Sequence, residues 1–139
     1  MKRMIILLLS AVILFSGCTF IDLPDIDEFT WKMNVIQGNE GKIIACSPGD
    51  KLGWDAQYEI DMECTANKNK ITINDKTNSN TYTGTWSVQK RYVHEIYYNV
   101  NINGKDGVAV TAMTTYFSGE EIPTLIINLG EYAITFYGE

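Results

Sequence analysis

Residues 95–102 read Glu-Ile-Tyr-Tyr-Asn-Val-Asn-Ile, and Asn103-Gly104 follows at once. In an extended chain Ile96, Tyr98, Val100 and Ile102 share one face, while Glu95, Tyr97, Asn99 and Asn101 share the other. A period of two with one apolar side is the mark of a half-buried β-strand. Asn103-Gly104 is a turn signal that ends it. The same alternation recurs on both sides. In 57–64, Tyr58, Ile60, Met62 and Cys64 oppose Gln57, Glu59, Asp61 and Glu63. In 81–88, Tyr82, Gly84, Trp86 and Val88 oppose Thr81, Thr83, Thr85 and Ser87. In 132–137, Tyr132, Ile134 and Phe136 fall together. Shorter strands are expected over 31–37, 42–47, 70–74 and 124–129. Residues 108–117 are apolar on both faces and read as a central strand.

About nine strands are therefore expected, and composition agrees. From Thr30 onward 12 Ile, 6 Val and 12 Thr stand against three Leu, a bias toward side chains that suit a pleated surface. Turn residues separate the strands at 38–41, 47–50, 67–69, 75–80, 103–104 and 130–131. Gly130-Glu131 is a two-residue Gly-X connection whose twist matches the strands it joins. Connections this short make antiparallel neighbours, and no stretch is periodic enough for a crossover helix. Strands with one polar and one apolar face need a layer to bury against. The fold class is all-β, a small antiparallel β-barrel or β-sandwich of about eight or nine strands. Gly84-Thr85-Trp86 is similar to the Gly-x-Trp signature of lipocalin-like barrels, which in that family lies on the first strand.

The chain has 139 residues and a formal charge of −6. That length suits one domain, and an acidic chain without a basic run argues against nucleic acid as a partner. Residues 1–18, MKRMIILLLSAVILFSGC, stand apart. Lys2 and Arg3 precede an apolar run from Met4 to Phe15 that is too short to span a bilayer, which needs about 20 residues. The run ends at Ser16-Gly17-Cys18. This leader resembles the lipobox signal peptides of bacterial lipoproteins, with Phe15 where the family usually carries Leu. The resemblance implies cleavage after Gly17, a diacylglyceryl group on Cys18, acylation of the new amine, and an anchor in the membrane through that lipid. Thr19 stands where Asp would favour inner-membrane retention, so an outer-membrane location is expected, with the domain facing the periplasm or the cell surface. The expected organisation is a signal peptide over 1–17, a lipidated Cys and solvated acidic tether over 18–30, and one β-domain over 31–139.

With Cys18 lipidated, Cys46 and Cys64 remain. In an oxidising compartment such a pair reads as a disulfide, closing a loop worth roughly 3 kcal/mol. Antiparallel pairing of 42–47 with 57–64 would set Cys46 opposite Cys64.

Catalytic signals are thin. His94 is the only His and reads as a surface turn residue. The run from Asp75 to Asn80 lacks the calcium-loop pattern. Glu59, Asp61 and Glu63 read as the outer face of a strand. No nucleophile elbow, phosphate loop or metal-ligand spacing is present, so no catalytic residue, metal or cofactor is expected. The loop Ser118-Gly119-Glu120-Glu121 sets two charges beside a flexible Gly and could enter a cationic groove on a partner. Ser118-Gly119 resembles part of the Ser-Gly-x-x-Tyr motif of some periplasmic lysozyme inhibitors, with no Tyr following here. The reading is a non-enzymatic lipoprotein whose β-domain binds an envelope or secreted protein partner. The alternatives are a lipocalin-like small-ligand carrier, a lysozyme-inhibitor-like protein and a phage-exclusion lipoprotein. An apolar, open-mouthed cavity would favour the carrier, and a filled core with a protruding acidic loop the protein partner.

Overall fold

A computed structural model describes residues 22–139. The leader and Cys18, with the expected cleavage and acylation site, lie outside the described residues.

Ten strands form in chain order: β1 (Trp31–Gly38), β2 (Ile43–Cys46), β3 (Tyr58–Glu59), β4 (Met62–Asn67), β5 (Lys70–Asp75), β6 (Asn80–Arg91), β7 (Glu95–Ile102), β8 (Lys105–Thr115), β9 (Glu121–Asn128) and β10 (Tyr132–Gly138). A single helical turn, α1 (Lys51–Trp54), lies between β2 and β3. Strands β4 to β10 run as consecutive antiparallel neighbours, and β10 pairs back onto β1 from Trp31↔Gly138 to Gly38↔Tyr132. With β1 pairing β4 at Trp31↔Cys64, the circuit closes. The sheet is thus a barrel of eight strands, and β2 and β3 are an added flap.

Alternation sets which side chains fill it. Ile96, Tyr98, Val100 and Ile102 all point inward and are 4 % exposed or less. The residues at 103–104 both have positive φ, the two-residue turn expected of Asn-Gly. Gly130 has φ +92° and Leu129 donates to the Tyr132 carbonyl, closing the expected Gly-X hairpin. The strand expected over 108–117 falls within the long β8 as far as Thr115, with Tyr116 and Phe117 in the turn beyond it. The outer face of β8 is not covered: Val108 is exposed and Val110 half-buried.

The barrel has two unlike ends. Strand directions place the turns after β1, β5, β7 and β9 at one end, called here the open end. The turns after β4, β6 and β8, and the chain before β1, lie at the other. That chain segment is a plug. Ile26 is fully buried in the core. Its N–H donates to the Tyr98 hydroxyl at 3.2 Å, and its carbonyl accepts from Trp31 Nε1 at 2.7 Å. Arg91 pairs with Asp25 at 2.6 Å on the flank. The expected solvated tether over 18–30 is not solvated throughout, because from Leu23 the chain packs against the barrel core.

The flap corrects a second expectation. Residues 57–64 are not one strand. The ladder breaks at Ile60 and Asp61, where Ile60 N–H donates to the Cys46 carbonyl and Asp61 N–H to Thr77 Oγ1. The connection over 47–57, with α1 inside it, lets β3 return parallel to β2 at Ala45↔Tyr58 and Cys46↔Glu59. Cys46 then lies opposite Val35 and Cys64 opposite Trp31, on the same edge of β1 but four residues apart. That offset is about 13 Å, far beyond bridging distance. The expected Cys46–Cys64 disulfide is not formed, and both are buried free thiols.

Gly84 fixes how closely β6 and β7 approach. A Cβ there would sit 1.7 Å from the Asn101 carbonyl oxygen, whereas one at Gly53 would meet nothing within 4 Å. Gly84→Ala is expected to cost about 3 kcal/mol, and Gly53→Ala less than about 0.5 kcal/mol, in urea unfolding. Equal midpoints for the two variants would refute the close approach.

Candidate functional site

Inward positions near the open end carry aliphatic side chains that do not meet across the barrel. Ile36 of β1, Met62 of β4, Ile73 of β5, Ile102 of β7 and Ile134 of β10 line a cavity of about 410 Å³. Tyr82 and Tyr132 add aromatic wall, Leu129 comes from the last hairpin, and the flap contributes Ile44 and Ile60. Below this space the interior is full: Trp31, Tyr98 and Phe136 are wholly buried there. An eight-stranded barrel is just wide enough either to be filled by its own side chains or to hold one small ligand. This one is filled at the plugged end and hollow at the other.

Three polar residues border the cavity, Asp75, Asn103 and Lys105. Asp75 is buried, and its carboxylate accepts from Asn78 N–H at 2.9 Å and Asn78 Nδ2 at 2.8 Å. Lys105 Nζ lies 3.2 Å from the Glu131 carboxylate and 5.5 Å from the centre of the Tyr132 ring. The lining holds no Ser, Cys or His. The arrangement can hold an apolar body and meet a polar end at the rim.

Ser118, Gly119 and Glu120 of the expected partner loop are exposed in the β8–β9 turn at the plugged end, and Glu121 is exposed at the start of β9. The structure does not bring them to the cavity. Tyr116 N–H donates to the Glu120 carbonyl and Gly119 N–H to the Tyr116 carbonyl, which leaves Phe117 wholly exposed at the tip. His94 is exposed in the β6–β7 turn. The row Glu59, Asp61, Glu63 is divided by the strand break. Glu59 accepts from Gly49 N–H at 2.9 Å, and Glu63 is held by Lys32 and Lys76. Hydrogen bonds from those two ammonium groups, chiefly Lys32, pull the Glu63 carboxyl below its ordinary range. Among the described residues, no group of three or more His, Cys, Asp or Glu could hold a metal ion.

No family model matches the chain, and neither a curated protein nor a solved structure matches it.

The two thiols are in different places. Cys64 lies in the barrel core, and burial pushes its thiol from 9.0 up to about 12. Cys46 lies in the flap itself, at the end of β2, raised by burial first and then by Glu59 and Asp50. The unfolded chain ionises at the ordinary thiol value while folded Cys64 stays neutral. Its contribution to stability is thus present below pH 9 and lost as pH rises from about 9 toward 12. Cys64→Ala removes that loss. The stability advantage of the parent over the variant should shrink by up to about 1.4 kcal/mol per pH unit above pH 9. Parallel stability–pH curves would show that Cys64 is not held neutral by burial.

Proposed function

We propose that this chain is a lipid-anchored envelope protein whose barrel takes up a small apolar ligand through its open end. The observation that carries the reading is the apolar cavity of about 410 Å³ above an otherwise filled interior. That volume lies within the range of small-molecule sites, and so does its chemistry of aliphatic and aromatic walls with a few polar groups at the rim. The lipobox-like leader supports the anchor, with Cys18 as the acylated residue and the outer membrane as the location. The reading is a binding function without catalysis or a cofactor.

The geometry favours ligand uptake over protein docking as the main activity, because the space is concave, apolar and remote from the 118–121 loop. The ligand class is a compact apolar molecule with one polar end. That end would lie near Asn103 and Lys105, and the apolar body against Ile73, Ile102 and Ile134.

Two measurements test the two halves of the proposal. Metabolic labelling with a fatty acid should mark the protein, and Cys18→Ala should abolish the label. Unchanged labelling would remove the anchor. A fluorescent apolar probe such as anilinonaphthalene sulfonate should bind the folded protein. Ile44→Trp, which places bulk at the half-exposed mouth, should weaken it about tenfold or more, or about 1.4 kcal/mol. Ile126→Trp on the outer wall should leave binding unchanged. Probe affinity untouched by Ile44→Trp would exclude the mouth as the site.

A further inference from the structure

We infer that the plugged end of the barrel seats on the bilayer surface, with Phe117 and Val93 entering the headgroup region and the cavity facing away. The inference rests on the proposed acylation of Cys18. Its first support is chain length. Cys18 is five residues from Leu23, where the chain packs against the barrel core, and five residues span at most about 18 Å. The second is position. Asp22 shares a depression with Glu121 and Pro123 at the base of the β8–β9 hairpin, and Asp25 pairs with Arg91 at the end of β6. The chain therefore leaves the barrel between two turns.

The third support is what those turns carry. Phe117 is wholly exposed at the tip of one, and Val93 is 74 % exposed at the tip of the other beside half-exposed Tyr92. A large apolar side chain extended into water at a tip costs free energy that a membrane interface returns. Aromatic and aliphatic anchors settle roughly 5–10 Å into the headgroup boundary. The turns at the open end differ: those at 39–42, 76–79 and 103–104 carry Asn, Glu, Gly, Lys, Thr and Ser, and Leu129 in the β9–β10 turn is buried, the exposed Leu52 and Trp54 belonging to the flap's helical turn. Acidic Asp22, Asp27, Glu28, Glu120 and Glu121 surround the exit, so the surface chosen is a zwitterionic one, with the acyl chains supplying most of the affinity.

The test uses the acylated full chain in phosphatidylcholine vesicles with headgroup nitroxide lipids. A fluorophore on S118C, which keeps Phe117, should be quenched about twofold or more, while one on K76C at the open end should not be. Replacing Phe117 and Val93 together by Ser should restore the S118C signal while the protein still floats with the vesicles. Flotation with no quenching at S118C, or equal quenching at both sites, overturns the seat and leaves Phe117 to a protein partner. Failure to float, with no acyl group on Cys18 by mass, overturns the anchor reading and the seat with it.

Discussion

The ladder between β1 and β10 is the interaction on which the rest depends. It joins the first strand to the last, so its entropy of closure spans nearly the whole domain. Without it the other pairings form a curled sheet with two open edges, a form prone to intermolecular pairing. With it the inward faces of eight strands converge on one interior. The ladder also fixes the plug. Trp31 stands opposite Gly138, and a Cβ on Gly138 would press within 2.9 Å of the Phe29 ring. Glycine at that place lets Phe29 close over the barrel end, edge-on to Trp31 at 5.3 Å. Trp31 then reaches the Ile26 carbonyl, and Tyr98 receives the Ile26 N–H. Closure and plugging are one packing event.

The opposite edge of β1 is divided, and that division makes the mouth. Its first residues pair with β4, and Val35, Ile36 and Gln37 pair with β2. Strand β4 therefore diverges from β1 above Lys32, and the wall there is completed by the flap. Ile44 and Ile60 cover a gap that a ninth barrel strand would otherwise have to fill. Within the flap, β2 is tied to the barrel by its ladder with β1 and by the Ser47 N–H to Asn34 bond, whereas β3 hangs on β2 by a two-residue parallel ladder, the Ile60 N–H to Cys46 bond and the Gly49 to Glu59 contact. Opening with small free energy is expected of a strand supported as sparsely as β3.

How much of this was legible in the sequence follows from what alternation encodes. It encodes faces, so Ile96, Tyr98, Val100, Ile102, Ile134 and Phe136 were readable as core, and barrel or sandwich was the natural pair of outcomes. The structure resolves that pair in favour of the barrel. Alternation does not encode neighbours. Cys46 and Cys64 were both readable as buried, but their pairing required one strand over 57–64 antiparallel to β2. The structure divides it into β3, which the connection through α1 makes parallel to β2, and β4, which pairs with β1. Nor does it reveal a plug. Ile26 stands alone among Asp25, Asp27 and Glu28, and a single apolar residue in an acidic run has no period to detect. The cavity was the least legible feature. Inward Ile at 36, 73, 102 and 134 signals a core, and whether those side chains meet depends on barrel width and on where the rings fall.

Magnitudes decide what that space can be. A dry apolar void costs about 24 cal/mol per Å³, so a closed cavity of about 410 Å³ would cost about 10 kcal/mol. That is comparable to the entire stability of a domain this size, and no fold would keep it sealed and empty. The barrel avoids the cost by leaving the space open at one end, where solvent reaches the walls past Asn103 and Lys105. The plugged half can then supply the stability, with Ile26, Trp31, Tyr98 and Phe136 packed without exposure. Water against aliphatic walls is itself unfavourable, by roughly 25 cal/mol for each Å² of apolar surface left wet. An apolar occupant recovers that energy without rearranging the lower core. The division of labour along the barrel axis, with packing at the plugged end and wet apolar wall at the other, is what permits a chain this short to be stable and still keep an open apolar cavity.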